Sequence, residues 1–178
     1  MYNILKRNGL IKPLSKPRHK RTYKRFSRRR PDSLWRADLT IFRRKYVIVF
    51  MDDGSMFLTA IEWFSAPKAD LVIDAFDDTI KEYGMPRNVL TDHGTQLYSV
   101  RGGTSPFDQY CHDHKIRHIM GGIAKPTTQG KIERFFCTLK NEYGRYNDLG
   151  EYADHYNNRR RHAGIGYLTP ASKKILCL

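Results

Sequence analysis

Three strand-forming runs follow one another with almost no chain between them: LWRADLTIF (34–42), KYVIVFMDD (45–53) and MFLTAIEW (56–63). Each is rich in β-branched and aromatic residues, and the two-residue gaps are long enough only for hairpins. Three consecutive antiparallel strands are therefore expected, with a basic turn after the first and Gly54-Ser55 in the second. The period then changes. PKADLVIDAFDDTIKEYG (67–84) sets Leu71, Val72, Ala75, Phe76, Ile80 and Tyr83 at helical spacing, with Pro67 near the start and Gly84 at the end. RNVLTDHG (87–94) reads as a short buried strand ending in an acidic turn, SPFDQYCHDH (105–114) as a helix and KIRHIM (115–120) as a strand. Helices over about 128–143 and 148–162 and a terminal TPASKKIL helix follow. A hairpin run followed by strand–helix alternation specifies an α/β domain built on a mixed five-stranded sheet flanked by helices.

Charge divides the chain differently. Of a net charge of +14, residues 1–30 contribute 12 Lys/Arg and no Asp/Glu. The remainder is close to neutral. A basic arm of this kind attracts phosphate backbones by counterion release, without regard to base sequence. Tyr23 and Phe26 lie among its charges, so Lys20, Arg21, Lys24, Arg25, Arg28, Arg29 and Arg30 are read as a DNA-binding segment rather than a solubilising tail. The expected organisation is an arm and linker over 1–33, a globular core over 34–172 and a tail over 173–178. MYNILKRNGL (1–10) looks like the end of a helix closed by Gly9. No run of about 18 apolar residues offers a membrane span, and no apolar segment follows the basic N-terminus as a secretory signal would require. Three dispersed cysteines argue against a disulfide framework and suit a reducing compartment.

Three carboxylates stand out. Asp38 interrupts the first strand among Trp35, Ala37 and Leu39, where a buried, unpaired charge costs several kcal/mol unless it finds a partner. Asp92 ends the VLTD strand. Glu133 borders the apolar stripe of Ile132, Phe136, Leu139 and Tyr143, which points it toward a cleft beside the sheet. Strand-borne and helix-borne carboxylates can bind two Mg²⁺ or Mn²⁺ ions, hard cations that prefer oxygen ligands. The alternative for Glu133 is a first-turn residue that complements the helix dipole.

The phrases around these acids sharpen the reading. WRADLT (35–40), GMPRNVLTDHG (84–94), PTTQGKIERF (126–135), LKNE (139–142), YNNRRRH (156–162) and Thr169-Pro170 occur in the order found in the ribonuclease H-like catalytic domain of insertion-sequence transposases, relatives of retroviral integrases. The chain resembles that family over about residues 34–172. The resemblance implies a DDE-type transposase whose metal-binding and catalytic triad is Asp38, Asp92 and Glu133, using Mg²⁺ or Mn²⁺ for 3′-end cleavage and strand transfer. It also implies DNA as partner, self-association as a dimer or larger assembly, and a cytoplasmic, nucleoid-associated setting in a prokaryote. Lys131, Arg134 and Lys140 are then placed to hold DNA phosphates. RRRH (159–162), with Arg160 and His162, is either a helix face on DNA or a solvated face.

Some positions depart from the pattern. Gln129 replaces the usual Asn, and His93 follows the second acid where Asn is usual. MDDGSM (51–56) lacks the usual Arg, and the 40 residues between Asp92 and Glu133 exceed the common gap, with the extra length expected at 99–104. CHDH (111–114) is too crowded for a zinc site and reads as helix surface. Asp52-Asp53 reads as a solvated turn, and Glu142 as a partner for basic neighbours or an outer carboxylate of the site. In relatives a phrase like YNILKRNGL closes a helix-turn-helix, so an upstream recognition module is expected to be missing or to reside in another chain. Two rivals stay open: a ribonuclease H-type nuclease that cuts without joining, and a truncated product that only binds DNA.

Overall fold

The computed structural model describes residues 7–9, 28, 30–92, 103–121 and 126–177, with 126–129 as backbone only. Strands β1 (Trp35–Phe42), β2 (Lys45–Asp52) and β3 (Leu58–Phe64) pair antiparallel in succession. The β1–β2 hairpin closes through Arg43 and Arg44, whose φ angles of 49° and 63° give the turn the twist that a two-residue hairpin requires. Helix α1 (Ala69–Tyr83) crosses to β4 (Asn88–Thr91), which lies parallel to β1, and α2 (Pro106–Asp113) leads to β5 (Arg117–Met120), parallel to β4. The sheet order is β3-β2-β1-β4-β5. This is the mixed five-stranded arrangement that the sequence pattern specifies.

Helix α3 (Pro126–Glu142) is followed by a 3₁₀ turn at Tyr143–Arg145, α4 (Leu149–Asp154), a π turn at His155–Arg159 and α5 (Pro170–Leu176). The helix expected around 148–162 ends at Arg159. The chain turns extended at Arg160, where ψ is 125°. The segment read as a tail is helical through Leu176. Within it Lys174 bonds Asp32 at 3.0 Å and lies over the rings of Phe57 and Tyr83.

Both faces of the sheet are covered, which sets the orientation of every strand residue. Ile48 and Phe50 join Trp35, Ala37, Val72, Phe76, Phe107 and Cys111 in the core beneath α1 and α2. Val47, Val49 and Met51 join Ile132, Phe135, Phe136, Leu139, Tyr152 and Tyr156 in the core beneath α3 and α4. Side chains alternate across a strand. With Trp35 and Ala37 committed to the first core, Arg36, Asp38 and Thr40 must face α3.

The outer strand β3 is held at its start by a side chain. Leu58 donates its N–H to Asn157 Oδ1 and accepts from Asn157 Nδ2, both at 2.9 Å and both buried. The Asn157→Ala variant leaves two buried backbone groups without partners. A loss of about 1–3 kcal/mol is expected in urea denaturation, and an unchanged midpoint would contradict this role.

Candidate active site

The β1–β4 ladder pairs Trp35 with Val89 and Arg36 with Leu90 in parallel. Carried two residues further, that register sets Asp38 level with Asp92, the residue just past β4. Both residues line one small cleft with Arg36, Ala37, Leu90, Thr91 and Ile132. Ile132 comes from α3, and the next residue on that helix is Glu133, which is exposed. Glu133 is close enough for its charge to act on Asp38. Helix α3 begins at Pro126, so Glu133 lies about two turns in, beyond the first turn where the helix dipole acts. The dipole account of this residue is thereby removed.

Asp38 is half-buried, and its Oδ1 accepts the Leu39 N–H at 2.8 Å. Burial first, then the neighbouring charges of Asp92 and Glu133, push its pKa up to about 7. Carboxylates so placed repel one another, and a divalent cation between them reverses the sign of that interaction. Three carboxylates are hard oxygen donors of the kind Mg²⁺ and Mn²⁺ take. Among the described residues no group of three or more His, Cys, Asp or Glu side chains is already assembled to hold an ion.

The strand end that carries Asp92 is braced by residues that the sequence reading did not single out. Thr91 Oγ1 meets His118 Nε2 at 2.7 Å, and His118 Nδ1 meets the Asp108 carboxylate. Burial alone would raise the Asp108 carboxyl, but its bonds to His118 and Ser105 outweigh it and hold the group low. Residues 91, 108 and 118 fall on three elements, and no local motif links them.

The basic residues assigned to DNA are in varied settings. Arg134 and Lys140 are exposed on α3, with Lys140 Nζ 3.4 Å from Thr40 Oγ1. Arg28 and Arg30 are exposed; Lys20, Arg21, Lys24, Arg25 and Arg29 lie outside the described residues, as do His93 and the Gln129 side chain. Lys131 turns inward and bonds the Asp53 carboxylate at 2.8 Å. Arg160 pairs with Glu142, the basic partner that the sequence suggested for that carboxylate. The His162 ring rests against Tyr156 at 4.7 Å. Burial and the Arg160 charge pull its pKa down to about 4. The RRRH segment is therefore partly spent inside the fold and does not form a helix face. Asp52 and Asp53 correct another expectation. Both are 0% exposed, so the turn they begin is not solvated.

Comparison with known proteins agrees with this fold. The Integrase core domain family matches residues 28–126, more than half of the chain, and a second family of the same description matches 114–170. The chain belongs to the integrase core domain family. Its relatives include the transposase for transposon Tn552 of Staphylococcus aureus, 27% identical over 134 residues, and the Gag-Pro-Pol polyprotein of squirrel monkey retrovirus, 29% identical over 119. These alignments cover 64% and 65% of this chain, but only 27% and 6% of those longer proteins. Among solved structures, the catalytic core domain of BIV integrase superposes with a TM-score of 0.66 at 20% identity, covering 82% of this chain and 95% of that one. The HTLV-2 integrase catalytic core domain, solved in complex with magnesium, gives 0.65 at 19% identity, covering 82% and 97%. At such identities the structural likeness is one of fold, and the integrase core has the ribonuclease H-like sheet described above. Among the described residues no helix is long and apolar enough to cross a membrane.

The raised Asp38 pKa carries a consequence for stability. The folded state holds a proton there between the ordinary Asp range and about pH 7, so stability contributed at this site falls as pH rises through that window. In chelator, the Asp38→Asn variant is therefore expected to be more stable than the parent at pH 8, and the gap should close toward pH 4. Equal or lower stability of the variant at pH 8 would contradict the charge crowding.

Proposed function

We propose that this integrase core is the catalytic domain of a DNA transposase of the insertion-sequence kind, cleaving DNA at the element's 3′ ends and joining those ends to target DNA. The observation that supports it best is that Asp38 on β1 and Asp92 just past the parallel β4 line one cleft, with Glu133 on the helix that packs beside them. Asp38, Asp92 and Glu133 would hold Mg²⁺ or Mn²⁺, two ions in the full assembly. When bound, such ions activate a water or a 3′-hydroxyl and stabilise the leaving oxygen in an in-line displacement.

The chain's own residues supply the rest. Asp38 and Asp92 form the fixed side of the site because strands carry them. Glu133 is exposed on α3 and has rotamer freedom to turn inward as the third donor. Arg134 and Lys140 lie further out, where they neutralise phosphates and set DNA register without reading bases. The basic arm over 1–33 adds sequence-blind affinity to a core over 34–172, with 173–178 as its tail. Self-association on two DNA ends belongs to the same proposal, as does a nucleoid setting in a prokaryotic cell.

A nicking and strand-joining assay with Mn²⁺ and with Mg²⁺ tests the proposal on the parent chain and its Glu133→Gln variant. Metal-dependent joining is expected, and loss of one ligand should reduce it by about 10³-fold, several kcal/mol of transition-state stabilisation. Nicking without joining would favour a ribonuclease H-type nuclease. DNA binding without either reaction would leave a binding remnant.

A further inference from the structure

Asp53 lies one residue past β2 and is fully buried, yet it sits among three elements. Its Oδ1 accepts from Arg36 Nε at 2.7 Å and from Lys131 Nζ at 2.8 Å, its Oδ2 accepts the Arg28 N–H at 2.6 Å, and its carbonyl accepts from Lys131 Nζ at 2.6 Å. The turn itself does not need this carboxylate. Asp52 closes it, accepting from the Ser55 N–H at 2.7 Å, the Ser55 hydroxyl at 2.6 Å and the Asp32 N–H at 2.9 Å. Nor is the network an obvious source of stability. A buried ion pair often does no better than well-packed apolar residues. Arg36, moreover, has both Nη atoms buried with no partner among the described residues.

What the network does do is geometric. Arg36 precedes Asp38 by two residues on the same face of β1. Lys131 precedes Glu133 by two residues on α3. A single carboxylate therefore ties the strand that carries one acid to the helix that carries another, from the start of β1, where the Asp53 N–H donates to the Leu34 carbonyl. We propose that Asp53 is a positioning residue that, through Arg36 and Lys131, sets the separation of Asp38 and Glu133 and thereby the affinity for a divalent cation. The inference rests on the triad proposed above. It gives Lys131 an inward task in place of a phosphate contact.

The test is Mn²⁺ binding by the full, DNA-free chain, followed by the loss of the free-ion electron paramagnetic resonance signal, with urea denaturation run alongside. The Asp53→Asn and Lys131→Met variants are expected to bind Mn²⁺ at least tenfold more weakly, and Asp53→Glu to recover part of the loss. Asn157→Ala, destabilised at a distance, should bind within twofold of the parent. If Asp53→Asn does not fold, Lys131→Met and Asp53→Glu decide. Parent-like binding in Asp53→Asn or Lys131→Met, alongside loss in Asp38→Asn, overturns the positioning role and spares the triad. Equal weakening in Asn157→Ala also overturns it, because general destabilisation would then suffice. Undiminished binding in Asp38→Asn overturns the triad and this inference with it.

Discussion

The parallel ladder between β1 and β4 is short, but the candidate site depends on it. It sets the end of β4 against the middle of β1, so an acid at each place meets the other across one strand spacing, roughly 4.8 Å. Because both faces of the sheet are covered by helices, the two-residue period of β1 leaves no choice of direction. Trp35 and Ala37 fill one core, and Arg36 and Asp38 turn toward α3. A slip of one residue would exchange those sets and bury Asp38 among Phe76 and Phe107. The hydrophobic core thus specifies where the carboxylates point.

Holding acids together carries a cost, and the surrounding residues distribute it. Asp38 is pushed up by burial and by its acidic neighbours. Asp53, buried more deeply, is pushed the other way: burial would raise it, but the Arg36 guanidinium and the Lys131 ammonium outweigh burial and hold it below the usual carboxylate range. A half-buried and a fully buried carboxylate are thus treated oppositely. The one with cationic partners ties elements together, and the one crowded by acids is suited to meet a cation from outside. This contrast is what separates a structural acid from a candidate ligand.

Much of the fold was legible because it is written in local periods. Alternation marks β1 and β2, the 3.6-residue stripe marks α1, and Ile132, Phe136, Leu139 and Tyr143 are all buried as their spacing required. The start of α3 was harder to place, because Thr127, Thr128 and Gly130 have weak helix propensity, and the helix begins earlier at Pro126. The candidate acids Asp38, Asp92 and Glu133 stand out in the sequence through their neighbours' wording; Asp38 and Asp92 line one cleft, and Glu133 is exposed on α3. What local sequence could not reveal is pairing at a distance. Lys131 and Asp53 are 78 positions apart, and no run of residues announces that a DDG turn will be buried by a helix from the far end of the chain. Arg160 shows the same limit, since its Glu142 partner lies 18 positions away across the 3₁₀ and π turns.

Asp38, Asp92 and Glu133 are proposed to act as one cation-binding unit. Diffraction from crystals of the chain grown with Mn²⁺, recorded to give anomalous difference density, tests this most directly. A peak is expected within ligand distance of Asp38 and Asp92, with Glu133 turned in from solvent to complete the set. A cleft without a peak, or a bound ion held by other residues while Glu133 still points outward, would contradict it.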